Sequence, residues 1–361
     1  MNKKIRVLIV EDSFFMQRMI EEIVSSDPGL EVVDKAKNGT EAIEKISRLR
    51  PDVVTLDINI PDPDGFSVLK EVMKKNPTRI VVLSGHSPQG GPGMMQALAL
   101  GAIDFIPKPS GEISLDIYKL KDQIISKIKI AAEVDLKKFL LNLRLSRFDT
   151  IKPQTGITAP LALKKLVIIG ASTGGPSAIL QIMRNIPSTL PAAFLIVQHM
   201  PEGFTLSFAE RISLESKTKA KEAEQGDMVS AGKAYVAAAG YHLELEKNSS
   251  NVNNGLKIKL SHGPLVNFVR PSVSVTMESA ALAFCPNVIG VILTGIGKDG
   301  LEGAREVKKR GGVMIAQDQA TSIIFGMPKS VIDAGLADDV VPIDKIACKI
   351  IQNVNGSKIN G

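Results

Sequence analysis

Two groups of polar residues stand where apolar segments of the chain end, and their types and spacing suit them to chemistry. In the first group, Asp57 directly follows the apolar run 53–56. In the second, Ser172 follows the run 167–171 and is flanked by glycines. A carboxylate and a hydroxyl are both side chains that can form covalent intermediates. The first group therefore predicts a phosphoryl acceptor, and the second predicts a serine nucleophile.

Four further polar residues end or follow neighbouring apolar segments of the amino-terminal third: Glu11, Asp12, Ser84 and Lys108. The carboxyl ends of parallel strands meet at one edge of a sheet, so we expect these side chains to converge with Asp57. Three adjacent carboxylates repel one another unless a cation lies between them, which predicts Mg²⁺ bound by Glu11, Asp12 and Asp57. Lys108 would then neutralise phosphoryl oxygens, Ser84 would bond to one of them, and Asp57 would be phosphorylated.

An acidic pair before a helix has a second interpretation. Glu11 and Asp12 could cap a helix that begins near Ser13, which is the usual role of such a pair taken alone. The polar residues at other strand ends favour the phosphoryl site over the cap.

The segment 170–176 reads Gly-Ala-Ser-Thr-Gly-Gly-Pro and lies between a predicted strand and a predicted helix. Glycines permit a sharp turn on which a serine protrudes, and the helix N-terminus offers backbone N–H groups to an oxyanion. Such turns also bind phosphates in dinucleotide-binding proteins, but this glycine spacing does not give G-x-G-x-x-G. A nucleophile turn is favoured, and a dinucleotide-binding oxidoreductase stays as an alternative.

A serine nucleophile requires a base and a carboxylate that orients it. Among the four histidines, His199 alone ends a buried-type strand in the same half of the chain as Ser172. His242 and His262 fall among short β-like segments and are expected to be surface or loop residues. Asp299 follows a later apolar strand and is the candidate to orient His199. The order Ser, His, Asp differs from the order Ser, Asp, His of α/β-hydrolases, which counts against that fold.

Parallel sheets are needed to position both groups. In the amino-terminal third, continuous apolar runs alternate with segments of helical period, which predicts a doubly wound domain with five parallel strands at 1–125. The same alternation returns further along, interrupted at 221–260 by short β-like segments. We therefore predict an α/β fold with a second, larger catalytic domain at 164–355 that carries an antiparallel hairpin excursion. A helical extension and an interdomain linker would occupy 126–163, where proline and glycine follow a long helical segment.

Composition excludes several classes of protein. A length of 361 residues suits two domains, and no apolar run approaches the roughly 20 residues that a membrane span needs. The basic start is interrupted at once by charges, so we expect no signal peptide and a cytoplasmic protein. A net charge of +6, three tyrosines and no tryptophan argue against nucleic-acid binding. Two distant cysteines predict neither a disulfide framework nor a zinc site.

The amino-terminal motifs resemble those of response-regulator receiver domains across residues 5–125. The matching residues are Val10-Glu11-Asp12-Ser13, Leu56-Asp57, Pro61, Asp64-Gly65, Leu83-Ser84 and Lys108-Pro109. The resemblance implies that a chemotaxis histidine kinase phosphorylates Asp57, and that metal is bound by the three carboxylates named above.

The remaining motifs resemble the catalytic domain of chemotaxis protein-glutamate methylesterases (CheB) over about 164–355. The matching segments are 170–176, 198–201, 203–204, 263–264, 270–273, 294–300 and 325–328. The resemblance implies an enzyme, switched on by phosphorylation, that hydrolyses glutamate methyl esters on the cytoplasmic domains of chemoreceptors and also deamidates receptor glutamines.

By motif position, the resemblance implies Ser172 as nucleophile, His199 as general base and acid, and Asp299 as the orienting carboxylate. It places Thr173 and Ile296 beside the oxyanion, and it implies no cofactor at this second site. Ile296 stands where the family usually has methionine, Ser274 where it often has aspartate, and the loop 85–93 is unusually rich in glycine.

Two other functions fit a receiver followed by an output domain. A DNA-binding output would make the chain a transcription factor, but such an output would be shorter, helical and strongly basic. A degenerate member of the family would keep only a scaffold role, and the sequence does not distinguish that case.

Overall fold

The computed structural model describes residues 3–85, 91–108, 115–145, 161–247 and 255–356. The chain divides into two compact units, Met1–Leu143 and Arg144–Gly361. The first unit extends through most of the helical segment that follows residue 125, while residues 146–160 of the predicted linker lie outside the described ranges. The domain limits proposed from the sequence stay a prediction.

The first unit contains a five-stranded sheet in the order β2-β1-β3-β4-β5, and every pairing is parallel. Its strands are β1 (Ile5–Val10), β2 (Leu30–Ala36), β3 (Val53–Asp57), β4 (Arg79–Ser84) and β5 (Asp104–Pro107). The predicted doubly wound, five-stranded sheet is confirmed. The strand order reverses between β1 and β3, so a crevice opens beyond the carboxyl ends of these two strands.

Helices cover this sheet, and the first three of them begin at polar caps. They are α1 (Phe14–Ser25), α2 (Gly39–Leu49), α3 (Gly65–Lys75), α4 (Gly91–Leu100), α5 (Lys121–Glu133) and α6 (Leu136–Leu145), with a 3₁₀ segment at Leu115–Leu120. Ser13 caps α1, since its hydroxyl accepts the backbone N–H of Met16 at 3.4 Å. Because Ser13 serves as the cap, the carboxylates of Glu11 and Asp12 remain available for another role.

The second unit contains a seven-stranded parallel sheet in the order β14-β13-β12-β6-β7-β9-β8. Its strands are β6 (Lys165–Ala171), β7 (Ala192–Gln198), β8 (Lys219–Glu222), β9 (Lys233–Val236), β12 (Val288–Ile292), β13 (Val313–Gln317) and β14 (Asp339–Val341). A separate antiparallel hairpin joins β10 (His242–Lys247) to β11 (Leu256–Ser261). The predicted hairpin excursion is confirmed, although β9 joins the main sheet instead of the excursion.

Six helices complete the described part of this unit: α7 (Gly175–Arg184), α8 (Thr205–Glu215), α9 (Val273–Phe284), α10 (Leu301–Lys309), α11 (Met327–Asp333) and α12 (Ile343–Asn355). All seven residues of β7 are buried, as expected for a strand that is covered on both faces. No helix among the described residues is both long enough and apolar enough to cross a bilayer.

Candidate functional site

A tight turn at the end of β6 carries Ser172. The backbone N–H of Gly175 donates to the Ser172 carbonyl at 2.8 Å, and the N–H of Ser172 donates to the Thr294 carbonyl at 3.0 Å. Gly174 has φ +77°, and a Cβ there would lie 2.5 Å from Ile323 Cδ1, so glycine is required for both reasons. The turn therefore places Ser172 at the sheet edge, directly before the N-terminus of α7.

The strand register places His199 beside Ser172. Ala171 pairs with Gln198 at the ends of β6 and β7. Ser172 and His199, which follow these two residues, therefore leave the sheet edge side by side. Asp299 comes from the loop after β12, which borders the opposite side of β6. Its Oδ2 nevertheless lies 2.9 Å from Nε2 of His199. The structure thus gathers the three predicted residues at the end of β6, where the strand order reverses.

The contact with Asp299 decides which nitrogen of His199 carries the proton. A carboxylate that is ionised can only accept, so Nε2 is the protonated nitrogen and Nδ1 holds the free lone pair. Within the described residues, the Ser172 hydroxyl makes no hydrogen bond to this ring. The hydrogen bond between His199 and Asp299 is therefore formed in this structure, and one between His199 and Ser172 is not.

Asp299 is almost fully buried and is surrounded by donors. Besides His199, they are Ser272 Oγ at 2.7 Å, Val273 N at 2.7 Å, Gly300 N at 2.9 Å, Ser274 N at 3.2 Å and Asn267 Nδ2 at 3.3 Å. Burial by itself would raise the pKa of this carboxyl, but the hydrogen bond and charge of His199, together with Ser272 and Val273, hold the pKa well below its usual range. Asp299 therefore stays ionised and fixes the orientation of the ring.

A second histidine supports this arrangement. The sequence predicts His242 as a surface or loop residue, but it is 2% exposed at the start of β10. Its Nδ1 accepts the backbone N–H of Ser272 at 3.2 Å, and its Nε2 lies 2.9 Å from the Pro264 carbonyl oxygen. The expectation was wrong because the short segment looked peripheral, whereas the hairpin folds onto α9. Nothing local in the sequence indicates that contact.

The residues expected beside the oxyanion lie close to the serine turn. A Cβ at Gly295 would meet Ser172 Cβ at 2.9 Å, so the loop leading to Asp299 packs directly on the turn. Ile296 is the next residue of this loop and is 39% exposed. Thr173 is buried, and its carbonyl accepts the Thr294 hydroxyl at 3.0 Å. Their roles at an oxyanion stay a prediction.

Gln198 is a further residue that the sequence did not single out as functional. Its side chain is buried, and its Nε2 donates to the Ser172 carbonyl at 2.8 Å and to the His199 carbonyl at 3.0 Å. This carboxamide therefore joins the backbone of the proposed nucleophile to the backbone of the proposed base.

The crevice of the first unit holds the predicted carboxylates. Ligand oxygens of Glu11, Asp12 and Asp57 lie within 4.8 Å of one another. Lys108 Nζ lies 2.5 Å from Glu11 Oε2 and 2.5 Å from Asp57 Oδ2. Ser84 ends β4 as expected, but its side chain lies outside the described residues. The structure thus brings together four of the five residues predicted for this site.

Burial gives this cluster unusual electrostatics. Removal from water raises the pKa of Glu11 to about 7, with a further contribution from Asp57, despite the opposing charge of Lys108. Burial lowers the pKa of Lys108, but the two carboxylates more than compensate, so that its pKa lies above the usual value. Because three acidic groups face one lysine, the repulsion among the carboxylates is only partly relieved.

Comparisons with known proteins agree along almost the whole chain. A family model described as CheB methylesterase matches residues 167–350, and one described as response regulator receiver domain matches residues 7–117. A protein-glutamate methylesterase/protein-glutamine glutaminase of Pyrococcus abyssi is 45% identical over 352 residues, which are 98% of this chain and 94% of the relative. This chain belongs to the CheB methylesterase family.

Other CheB proteins show the same correspondence. The relative of the same description from Thermotoga maritima is 42% identical over 353 residues, covering 98% of this chain and 99% of its own. The crystal structure of the Thermotoga maritima CheB methylesterase catalytic domain is 45% identical, with a TM-score of 0.50, and covers 52% of this chain and 97% of its own. The chain is therefore a CheB methylesterase with a receiver domain at its amino-terminal end.

The turn of Ser172 allows a test of the role of Gln198. An alanine Cβ at Gly175 would lie 2.0 Å from Gln198 Oε1 and 2.6 Å from Ala171 Cβ. We expect Gly175→Ala to displace the carboxamide, lower esterase activity about 10²-fold and reduce the free energy of unfolding by about 1–3 kcal/mol. Ester hydrolysis and urea unfolding measure the two effects.

Gly93→Ala is the matched control, because Gly93 lies in the first unit and a Cβ there meets its nearest neighbour, Phe66 Cζ, at an ordinary 3.5 Å. Equal activities for the two glycine variants would show that Gln198 does not hold the site.

Proposed function

We propose that this chain hydrolyses glutamate methyl esters on the cytoplasmic domains of chemoreceptors, and that phosphorylation of its receiver raises that activity. The observation that carries the proposal is the contact between His199 and Asp299 beside the half-buried Ser172. The names of the relatives support the substrate, because they are called protein-glutamate methylesterases.

The proposed reaction proceeds through an acyl-enzyme. Ser172 Oγ attacks the ester carbonyl carbon while its proton passes to Nδ1 of His199. The imidazolium then gives this proton to the methoxy oxygen, the ester C–O bond breaks and methanol leaves. Asp299 stabilises the imidazolium, because it is ionised and bonded to Nε2. A water molecule attacks the acyl-enzyme in the same way, and glutamate and free Ser172 are released.

The tetrahedral intermediate carries a negative oxygen that needs donors. We assign this role to backbone N–H groups at the N-terminus of α7, next to Thr173, and in the loop at Ile296. Removing one donor of such a site commonly costs about 10²–10³ in rate.

Deamidation of glutamine is a second activity of the same site. The attack on a side-chain amide has the same geometry, and ammonia takes the place of methanol as the leaving group. The relatives carry protein-glutamine glutaminase in their names. Release of ammonia from a receptor that bears glutamine at its modification sites would test this activity.

For the receiver, we propose that Asp57 accepts a phosphoryl group from a chemotaxis histidine kinase. Glu11, Asp12 and Asp57 supply the closely spaced, hard oxygen ligands that Mg²⁺ prefers, so the residues fit this ion. When bound, Mg²⁺ would supply positive charge to the phosphoryl group and to its acceptor. Lys108 holds Asp57 in the crevice and can neutralise a phosphoryl oxygen. We assign Ser84 to a hydrogen bond with another phosphoryl oxygen.

Methanol release from methylated receptor membranes, with and without a small-molecule phosphodonor, tests the function. We expect release that increases when the phosphodonor is added, and an Asp57→Asn variant that no longer responds to it. A wild-type protein that releases no methanol under either condition would refute the esterase. We further propose that the protein works in the cytoplasm, where these substrates and the kinase lie, and cell fractionation would test that location.

Lys108 provides a prediction for the receiver. Lys108→Met removes the partner of two buried carboxylates, and loss of one partner from a buried ion pair typically costs about 3–5 kcal/mol. In EDTA, we expect the thermal unfolding midpoint of the first unit to be lower in Lys108→Met than in the wild type. Adding Mg²⁺ should raise the midpoint of the variant by more than it raises that of the wild type. Differential scanning calorimetry in both conditions measures the change.

Lys127→Met is the control, because Lys127 pairs with Asp104 at 2.6 Å away from the carboxylate cluster. Its loss should lower stability equally with and without Mg²⁺. If Lys108→Met and Lys127→Met responded alike to Mg²⁺, the acidic cluster would not be a metal site.

A further inference from the structure

A tight turn beside the catalytic carboxylate presents a phenylalanine to solvent. Val266 and Val269 exchange two backbone hydrogen bonds, of 3.2 Å and 3.1 Å, around the central residues Asn267 and Phe268. These two residues have φ values of +52° and +65°. Positive φ at both central positions is the pattern of a type I′ turn, in which asparagine and then glycine are the usual residues.

Asn267 fits this turn, but Phe268 does not. A bulky side chain rarely adopts positive φ, because its Cβ approaches the following carbonyl oxygen. The ring also gains nothing from packing, since Phe268 is 95% exposed. Phe268 thus has an unfavourable backbone conformation and exposes an apolar ring to water. No contact within the described structure compensates for these two effects. Strain of this kind is found where function requires it.

The turn is fixed to the active site. Asn267 Nδ2 donates to Asp299 Oδ1 at 3.3 Å. Just beyond the turn, Arg270 Nη1 donates to the Gly263 carbonyl at 2.7 Å and to the His262 carbonyl at 3.2 Å. The chain then continues into Ser272, whose hydroxyl also bonds to Asp299. The backbone of the turn, and with it the point from which the ring projects, is therefore held next to Asp299.

We propose that Phe268 is a specificity-determining residue whose ring packs against apolar side chains of the protein substrate next to the esterified glutamate. This inference rests on the proposed function. A glutamate side chain is short, so the polypeptide that bears the ester must come to the edge of the site when the carbonyl reaches Ser172. Two further apolar side chains are exposed on the loops around Asp299, Leu265 at 59% and Ile296 at 39%. Aromatic side chains, phenylalanine among them, are enriched at contacts between proteins.

The test compares two substrates of the full-length enzyme, methylated receptor membranes and the small ester p-nitrophenyl acetate. We expect Phe268→Ala to lower the ratio of kcat/KM for the receptor to kcat/KM for the small ester about 10-fold. Phe268→Tyr keeps an aromatic ring and should retain the ratio. Phe268→Gly should lower the ratio equally and raise the thermal unfolding midpoint, because glycine relieves the strained turn.

Leu214→Ala is the matched control, because Leu214 is 75% exposed on α8, within regular helix, and should leave the ratio unchanged. An unchanged ratio in Phe268→Ala, or an equal loss on both substrates, would overturn the proposal. If phosphorylation restored the ratio in Phe268→Ala to the wild-type value, the ring would act through the receiver and not through the substrate. That result would also overturn the proposal. Absence of methanol release by the wild type would refute the proposed function itself, which is a separate result.

Discussion

Ser172→Ala is expected to lower methanol release from methylated receptors by about 10⁴- to 10⁶-fold, with little change in stability. The hydroxyl makes no described hydrogen bond to His199, so its removal leaves no buried partner unsatisfied. The turn itself is held by backbone bonds of Ser172 to Thr294 and Gly175, which alanine keeps. The loss therefore reports the missing nucleophile alone.

Methanol release and the thermal unfolding midpoint, measured on the same preparation, separate chemistry from folding. Ser177→Ala is a suitable control, because this serine lies in the first turn of α7, alanine keeps its backbone N–H, and its hydroxyl has no part in the proposed reaction. A Ser172→Ala enzyme with activity close to the wild type would remove the serine from the mechanism. Phosphodonor treatment should not restore activity, since phosphorylation cannot supply a nucleophile.

Asp299→Asn is expected to lower activity by about 10⁴-fold while leaving the backbone of the site in place. Five protein donors besides His199 converge on the two carboxylate oxygens, so an amide NH₂ must face at least one of them. If the NH₂ replaces Oδ2, it donates toward Nε2 of His199 and shifts the ring proton to Nδ1. The nitrogen that should accept the serine proton is then blocked.

The low pKa of Asp299 makes a further prediction about pH. A carboxyl whose pKa is depressed in the folded state stabilises the fold above its unfolded pKa, about 3.9, and loses that contribution as pH falls through the folded pKa. The stability difference between wild type and Asp299→Asn should therefore shrink as the pH falls below about 4. Urea unfolding at several pH values measures this difference.

Asp227→Asn is the control, because Asp227 also accepts a backbone N–H, from Glu224 at 2.8 Å, but on a turn next to β8. It should retain esterase activity. Activity of Asp299→Asn within about 10-fold of the wild type would contradict the assigned proton position on His199.

The sequence by itself singled out the residues to which we assign the chemistry. Apolar runs that end in Asp57, Ser172 and His199 define strands, and the carboxyl ends of parallel strands necessarily meet at one edge. The alternation of strands and helices likewise predicted both parallel sheets. These features depend on local pattern, which a linear chain displays directly.

Only the tertiary structure decided how these residues are held. The burial of His242 depends on the hairpin of β10 and β11 packing onto α9, and the donors around Asp299 come from a loop that approaches it across the sheet edge. The strained turn at Phe268 is set by contacts with Asp299 and with the loop at Gly263. Such contacts join residues distant along the chain, and their geometry depends on how surfaces pack, which no local pattern of residue types records.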